Sequence, residues 1–171
     1  MAGFFPNWLL RAIYDSTKPF QGKLFILVRF LCVRNLFGRC GENVFISSHV
    51  ELRFFRNIRV GNDVSIQNGA YLDARGNITI GNDVSISHGV SLVAFDHGYT
   101  DYSLPIRKNK YVNVPISIEN DVWIGAGARI LAGSRLGSRV IVAANSVVTK
   151  NTTRTDHVLL GGIPANILKR I

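Results

Sequence analysis

Aliphatic residues recur at every sixth position through most of this chain, and few backbones can accommodate that period. The series runs Val60, Ile66, Leu72, then Ile80, Ile86, Leu92, then Ile118, Ile124, Ile130, Leu136, Val142 and Val148. Two positions before each stands a small or β-branched residue: Ile58, Val64, Ala70, Ile78, Val84, Val90, Ile116, Val122, Ala128, Ser134, Val140 or Ser146. Val44/Ile46 and Val50/Leu52 carry the pattern upstream. Two inward side chains with one outward between them make a strand of three residues. The rest of each hexad must turn a corner, and Gly61, Gly81, Gly125 and Gly137 directly follow the aliphatic position. Three hexads close one coil of a prism, and stacked coils bury the aliphatic residues in ladders. The predicted class is all-β, a parallel β-helix over residues 41–171.

The interruptions of the period coincide in space. Val50 to Ile58 and Ala70 to Ile78 each carry two extra residues, one coil apart, so both fall at the same corner. Val90 to Ile116 is interrupted one coil later, at that corner again, by an inserted loop at about 94–115. Long loops in compact domains are usually functional or lack fixed structure. This one holds Asp96, His97, Gly98 and Tyr99, the cations Arg107, Lys108 and Lys110, and Pro105 and Pro115.

Residues 1–40 have a different character. Aromatic residues and leucines alternate with Arg11, Lys18, Lys23, Arg29, Arg34 and Arg39 against a single acid, Asp15. Trp8, Leu9, Ile13 and Tyr14 suit one helix face, and Leu24, Leu27, Val28, Leu31 and Phe37 a second. Two roles fit: a helical cap over the open first coil, which solenoids require, or peripheral contact with an anionic membrane.

The length of 171 residues allows one domain with such an appendage, and a net charge of +9 calls for an anionic partner. The cations line no helix and no RNA-binding motif appears, so nucleic acid is not expected. Cys32 and Cys40 form no disulfide framework. The residues before Pro6 show no basic leader, and the apolar run Leu24–Val33, interrupted by Arg29, is too short to span a bilayer. The expectation is a cytoplasmic protein, peripheral at the inner face of the membrane if residues 1–40 touch lipid.

Four features together resemble the hexapeptide-repeat acyltransferases, particularly the maltose, galactoside and nodulation-type sugar O-acetyltransferases. They are the hexads; Ile80–Val84 running through Leu92 into His97; Asn120–Asp121–Val122–Trp123–Ile124–Gly125; and Ser146–Lys150 followed by Gly161–Gly162–Ile163–Pro164–Ala165. The resemblance covers about residues 41–171. It implies a left-handed β-helix, where the general rule for parallel crossovers favours the right hand. It also implies a homotrimer with active sites between subunits, and acetyl-CoA as co-substrate.

Acetyl transfer to a sugar hydroxyl needs a base for the hydroxyl proton and donors for the oxyanion. The resemblance places the catalytic histidine at His97, five residues beyond Leu92. His49 and His88 read as turn residues, and nothing assigns a role to His157. Asp96, Asp101 and Asp73 are the carboxylates that could orient the imidazole. For acetyl-CoA the matching positions are Trp123, Ala126, Ala144, Thr149, Lys150 and Lys169, and for the acceptor Gln67 and Asp73. Gln67 stands where galactoside enzymes carry asparagine, and Asn166 where they carry arginine. The implied acceptor is a sugar or glycan hydroxyl in surface polysaccharide biosynthesis. Two other readings share the fold: a non-catalytic structural or binding β-helix, and a γ-carbonic-anhydrase-like metal enzyme. For the latter His88 and His97 supply no convincing zinc set, since zinc needs about three protein ligands, and no metal is expected.

Overall fold

Each hexad forms one short strand, and the strands of successive coils stack in register into three parallel sheets. The computed structural model describes residues 5–152 and 154–171, so the start of the 1–40 segment, residues 1–4, lies outside it. The architecture is a left-handed parallel β-helix of about six turns with two helices at its N-terminus. The first face holds Arg39–Cys40, Ile58–Val60, Ile78–Ile80, Ile116–Ile118 and Arg135–Leu136. The second holds Phe45–Ile46, Ser65–Ile66, Val84–Ile86, Val122–Ile124, Val140–Val142 and Val158–Gly162. The third holds Glu51–Arg53, Tyr71–Asp73, Ser91–Val93, Arg129–Ile130 and Val147–Val148. Both inward positions of every hexad are buried, and the pairing sets like above like: Ile58 beside Ile78, Ile78 beside Ile116, Ile118 beside Leu136. Where the ladder carries a serine, its hydroxyl is bonded; Ser134 Oγ donates to the Val148 carbonyl at 3.1 Å.

The corners explain the Gly-Asn-Asp triplets. Between the first and second faces the backbone turns through the left-handed region at Asn43, Asp63, Asp83 and Asp121, which short polar side chains tolerate better than most. The residue before each aspartate bonds between coils. Asn82 Oδ1 accepts the Asn62 N–H and Asn120 Oδ1 accepts the Asn82 N–H, both at 2.8 Å. The preceding glycine leaves room for that amide: a Cβ on Gly61 would collide with Asn82 Oδ1 and the Gly81 carbonyl.

Helices α1 (Asn7–Thr17) and α2 (Lys23–Leu36) close the first coil. In the second coil the Ile66 and Ala70 carbonyls accept N–H groups from Ser47 and Glu51 of the first. No coil precedes the first, so its own carbonyls need other donors. Arg29 Nε donates to Ile46 O at 3.0 Å and the Tyr14 hydroxyl to Val50 O at 2.9 Å. Arg29 is 1% exposed, and its Nη1 also donates to the Thr17 and Phe20 carbonyls. The capping faces match the apolar stripes legible in the sequence only in part: Tyr14 and Phe37 are buried, and Ile13 and Val28 pack against the core. Leu10, Tyr14, Arg29, Cys32, Val33 and Leu36 are buried, whereas Trp8, Leu24, Leu27 and Leu31 face outward. Among the described residues no helix is long and apolar enough to cross a membrane.

The C-terminal segment is a hairpin. Val158–Gly162 adds the last rung of the second face, and Ala165–Arg170 folds back antiparallel along it.

Candidate active site

The inserted loop leaves the prism at the corner between the third and first faces as an antiparallel hairpin, Phe95–His97 against Tyr111–Asn113. Its base is tied to the coil by Val114 N–H donating to Ala94 O at 3.2 Å. Its distal part is organised by Asn109, whose amide donates to the Asp101 carbonyl at 3.2 Å and accepts the Asp101 N–H at 3.1 Å. His97 pairs across the hairpin with Tyr111, and their rings meet edge to face at 4.6 Å. The imidazole is otherwise exposed in the single protomer.

Arg75 fixes this hairpin to the coil below, and sequence reasoning missed it. It occupies the corner carrying two extra residues, and its guanidinium lies 4.4 Å from the Tyr111 ring centre, 4.9 Å from Phe95 and 5.0 Å from Phe54. Its Nε is buried without a hydrogen-bond acceptor among the described residues, so the aromatic faces supply its stabilisation. The signal was present in the sequence: stacking the three irregular corners puts Phe54, Arg75 and Phe95 on successive coils.

A cleft of about 400 Å³ opens at the same corner, one residue from His97. Asp96, Leu131, Thr149, Lys150, Pro164 and Asn166 are among its lining residues. It therefore gathers two of the expected cofactor positions, Thr149 and Lys150, with the C-terminal turn. Ala126 and Ala144 stand at the other edge of the third face, where the Ala126 carbonyl accepts the Asn145 N–H at 2.9 Å. Trp123 points outward from the second face, with its Nε1 donating to Ser87 Oγ at 3.1 Å. Lys169 lies exposed on the C-terminal hairpin. Trp123 and Lys169 do not reach the cleft in one protomer.

Gln67 occupies the corner between the second and third faces, and Asp73 the corner below the hairpin. Asp73 is 1% exposed, and its carboxylate accepts the Arg75 N–H at 3.1 Å and the Tyr71 hydroxyl at 3.3 Å. None of the three expected carboxylates bonds the imidazole in the protomer. Asp96 Oδ1 accepts the backbone N–H of His97, and Asp101 accepts both the N–H and hydroxyl of Ser103. Among the described residues no three His, Cys, Asp or Glu side chains converge as a metal set.

Comparison with known proteins agrees with this geometry. The profile of the bacterial transferase hexapeptide (six repeats) matches residues 115–150. The galactoside O-acetyltransferase of Escherichia coli K12 is 28% identical over 140 residues, which are 81% of this chain and 66% of that protein. The chain thus spans about two thirds of the length of that curated relative. A maltose O-acetyltransferase structure from Clostridium difficile 630 superposes with a TM-score of 0.81 at 26% identity, covering 96% of this chain and 86% of the other. A hexapeptide-repeat acetyltransferase of Vibrio cholerae, complexed with acetyl coenzyme A, superposes with a TM-score of 0.79 at 32% identity. That match covers 95% of this chain and 87% of the other. On the identity and coverage of that match, the chain belongs to the hexapeptide-repeat acetyltransferase family.

Proposed function

We propose that this protein transfers the acetyl group of acetyl-CoA to a hydroxyl of a sugar or glycan, in surface polysaccharide biosynthesis, with His97 as general base. The observation that carries the reading is the exposed imidazole standing one residue from a cleft lined by Thr149 and Lys150. Relatives named for galactoside and maltose, and a relative solved with acetyl coenzyme A, support the acceptor and donor classes.

Neutral imidazole takes the hydroxyl proton as the acceptor oxygen attacks the thioester carbonyl. The resulting oxyanion calls for hydrogen-bond donors within the cleft. Collapse breaks the C–S bond, and the imidazolium returns its proton to the departing thiolate. Lys150 offers a cation for the donor's phosphates. The reading includes a homotrimer in which a neighbouring copy completes the site; the exposure of His97, and a cleft whose lining includes neither Trp123 nor Lys169, support it. Gln67 and Asp73 are assigned to the acceptor side, Asp73 through its hold on the corner that carries Arg75.

Release of free thiol from acetyl-CoA, followed across nucleotide sugars and glycan precursors, tests the reading. His97→Ala is expected to lower turnover at least about 10²-fold. Undiminished turnover would show that the wrong base has been named, and a monomer in light scattering would remove the intersubunit site.

A further inference from the structure

We infer that the outward face of the two N-terminal helices is a docking surface for an anionic lipid bilayer. Leu24, Leu27 and Leu31 follow one face of α2 and are 67%, 52% and 49% exposed. Trp8 on α1 is 70% exposed, and Phe20, stacked on Phe25 at 4.9 Å, is uncovered between the helices. The opposite faces already cap the first coil through Tyr14 and Arg29, so closing the solenoid does not explain these side chains. Two apolar grooves flank α2. One of about 410 Å³ runs beside α1 past Phe5, Ile13, Val28 and Leu31. The other, of about 550 Å³, runs beside the first coil past Ile26, Leu27, Phe30 and Phe45.

Charge decides the occupant. Lys23 and Arg34 border the leucine stripe along one edge, with Arg34 lying 5.8 Å from the Phe30 ring centre. The only acid in the segment, Asp15, is paired with Lys18 at 2.6 Å. Apolar side chains rimmed by uncompensated cations suit the boundary between acyl chains and anionic headgroups, with long cationic stems reaching the phosphates. A second copy of this +9 chain would bring the same cationic rim against its like.

Flotation of the full-length protein with vesicles tests the inference without reference to turnover, so an error in the catalytic assignment would not affect the result. Binding is expected to phosphatidylcholine vesicles containing phosphatidylglycerol, weakened by added salt, and not to phosphatidylcholine alone. Lys23→Glu with Arg34→Glu should lower vesicle affinity at least about tenfold, and Leu27→Glu with Leu31→Glu should abolish it. Circular dichroism verifies the fold, and Trp8→Ser serves as a second probe if the leucine variant unfolds. Equal binding to both vesicle types, or to neither, overturns the inference. So does a change of oligomeric size in the leucine variant, which would make the face a seam between copies.

Discussion

The Arg75 guanidinium lies 4.4 Å from the centre of the Tyr111 ring, and Tyr111 is the cross-strand partner of His97. A cation in the second coil therefore sets the position of an imidazole carried on a hairpin inserted after the third. Each cation–aromatic contact contributes about 0.5–2 kcal/mol, and a small displacement of a catalytic group costs rate steeply. Arg75→Ala is expected to lower kcat at least about tenfold while leaving the KM for acetyl-CoA little changed, with partial rescue by Arg75→Lys. Steady-state kinetics and amide exchange across 95–97 and 111–113 check it; an unchanged kcat removes the positioning role.

Lys150 lines the cleft beside Thr149 and the C-terminal turn. Its loss should weaken donor binding without altering chemistry. Lys150→Ala is expected to raise the KM for acetyl-CoA about fivefold with kcat nearly unchanged, the pattern for an interaction equal in ground and transition states.

The cap should show as stability alone. Tyr14→Phe removes one donor from the Val50 carbonyl and should cost about 1–2 kcal/mol. Arg29→Met removes the side-chain donor from the Ile46 and Phe20 carbonyls and one of the two donors of the Thr17 carbonyl, which keeps the Phe20 N–H, and should cost about 3 kcal/mol or more. Urea unfolding measures both, as shifts in midpoint at constant slope.

Gly61 is required by the coil above it. An alanine Cβ there would meet the Gly81 carbonyl oxygen at 2.7 Å and clash with Asn82 Oδ1. Backbone atoms cannot retreat as a flexible side chain can, so Gly61→Ala should destabilise by about 1–3 kcal/mol. Thermal unfolding compared with Gly69→Ala, where φ is +69° but a Cβ meets only one atom at 3.9 Å, separates crowding from backbone strain.

Burial pushes the Cys40 thiol up to about 11, from an ordinary value of 9.0. The folded chain therefore holds the proton where the unfolded chain has released it. Stability from this group is complete below about pH 9 and falls as pH rises towards 11. Cys40→Ala should flatten the stability curve across that window relative to the parent. Alkylation of Cys40 should likewise be slow at pH 8 in the folded protein.

Period-six aliphatic residues determined the prism without help from distant contacts, because each hexad can bury its two inward side chains only as a short strand followed by a corner. The irregular corners likewise showed, from spacing alone, where a loop could leave without disturbing the register, and Ile78 still pairs with Ile116 across that insertion. Tertiary structure decided the rest. Arg29 reads as one more surface cation, yet it is buried because the first coil has carbonyls with no coil before them. Of the apolar stripes legible in residues 1–40, Tyr14 and Phe37 pack on the coil whereas Trp8, Leu24, Leu27 and Leu31 face outward, because the side chains that pack are those that can also reach the coil's edge. Arg75 acquires its role only when three corners stack and bring Phe54, Phe95 and Tyr111 around it. Local periodicity is enforced by backbone geometry residue by residue, whereas donors, orphaned carbonyls and aromatic faces find each other only after segments far apart in the chain have been folded together.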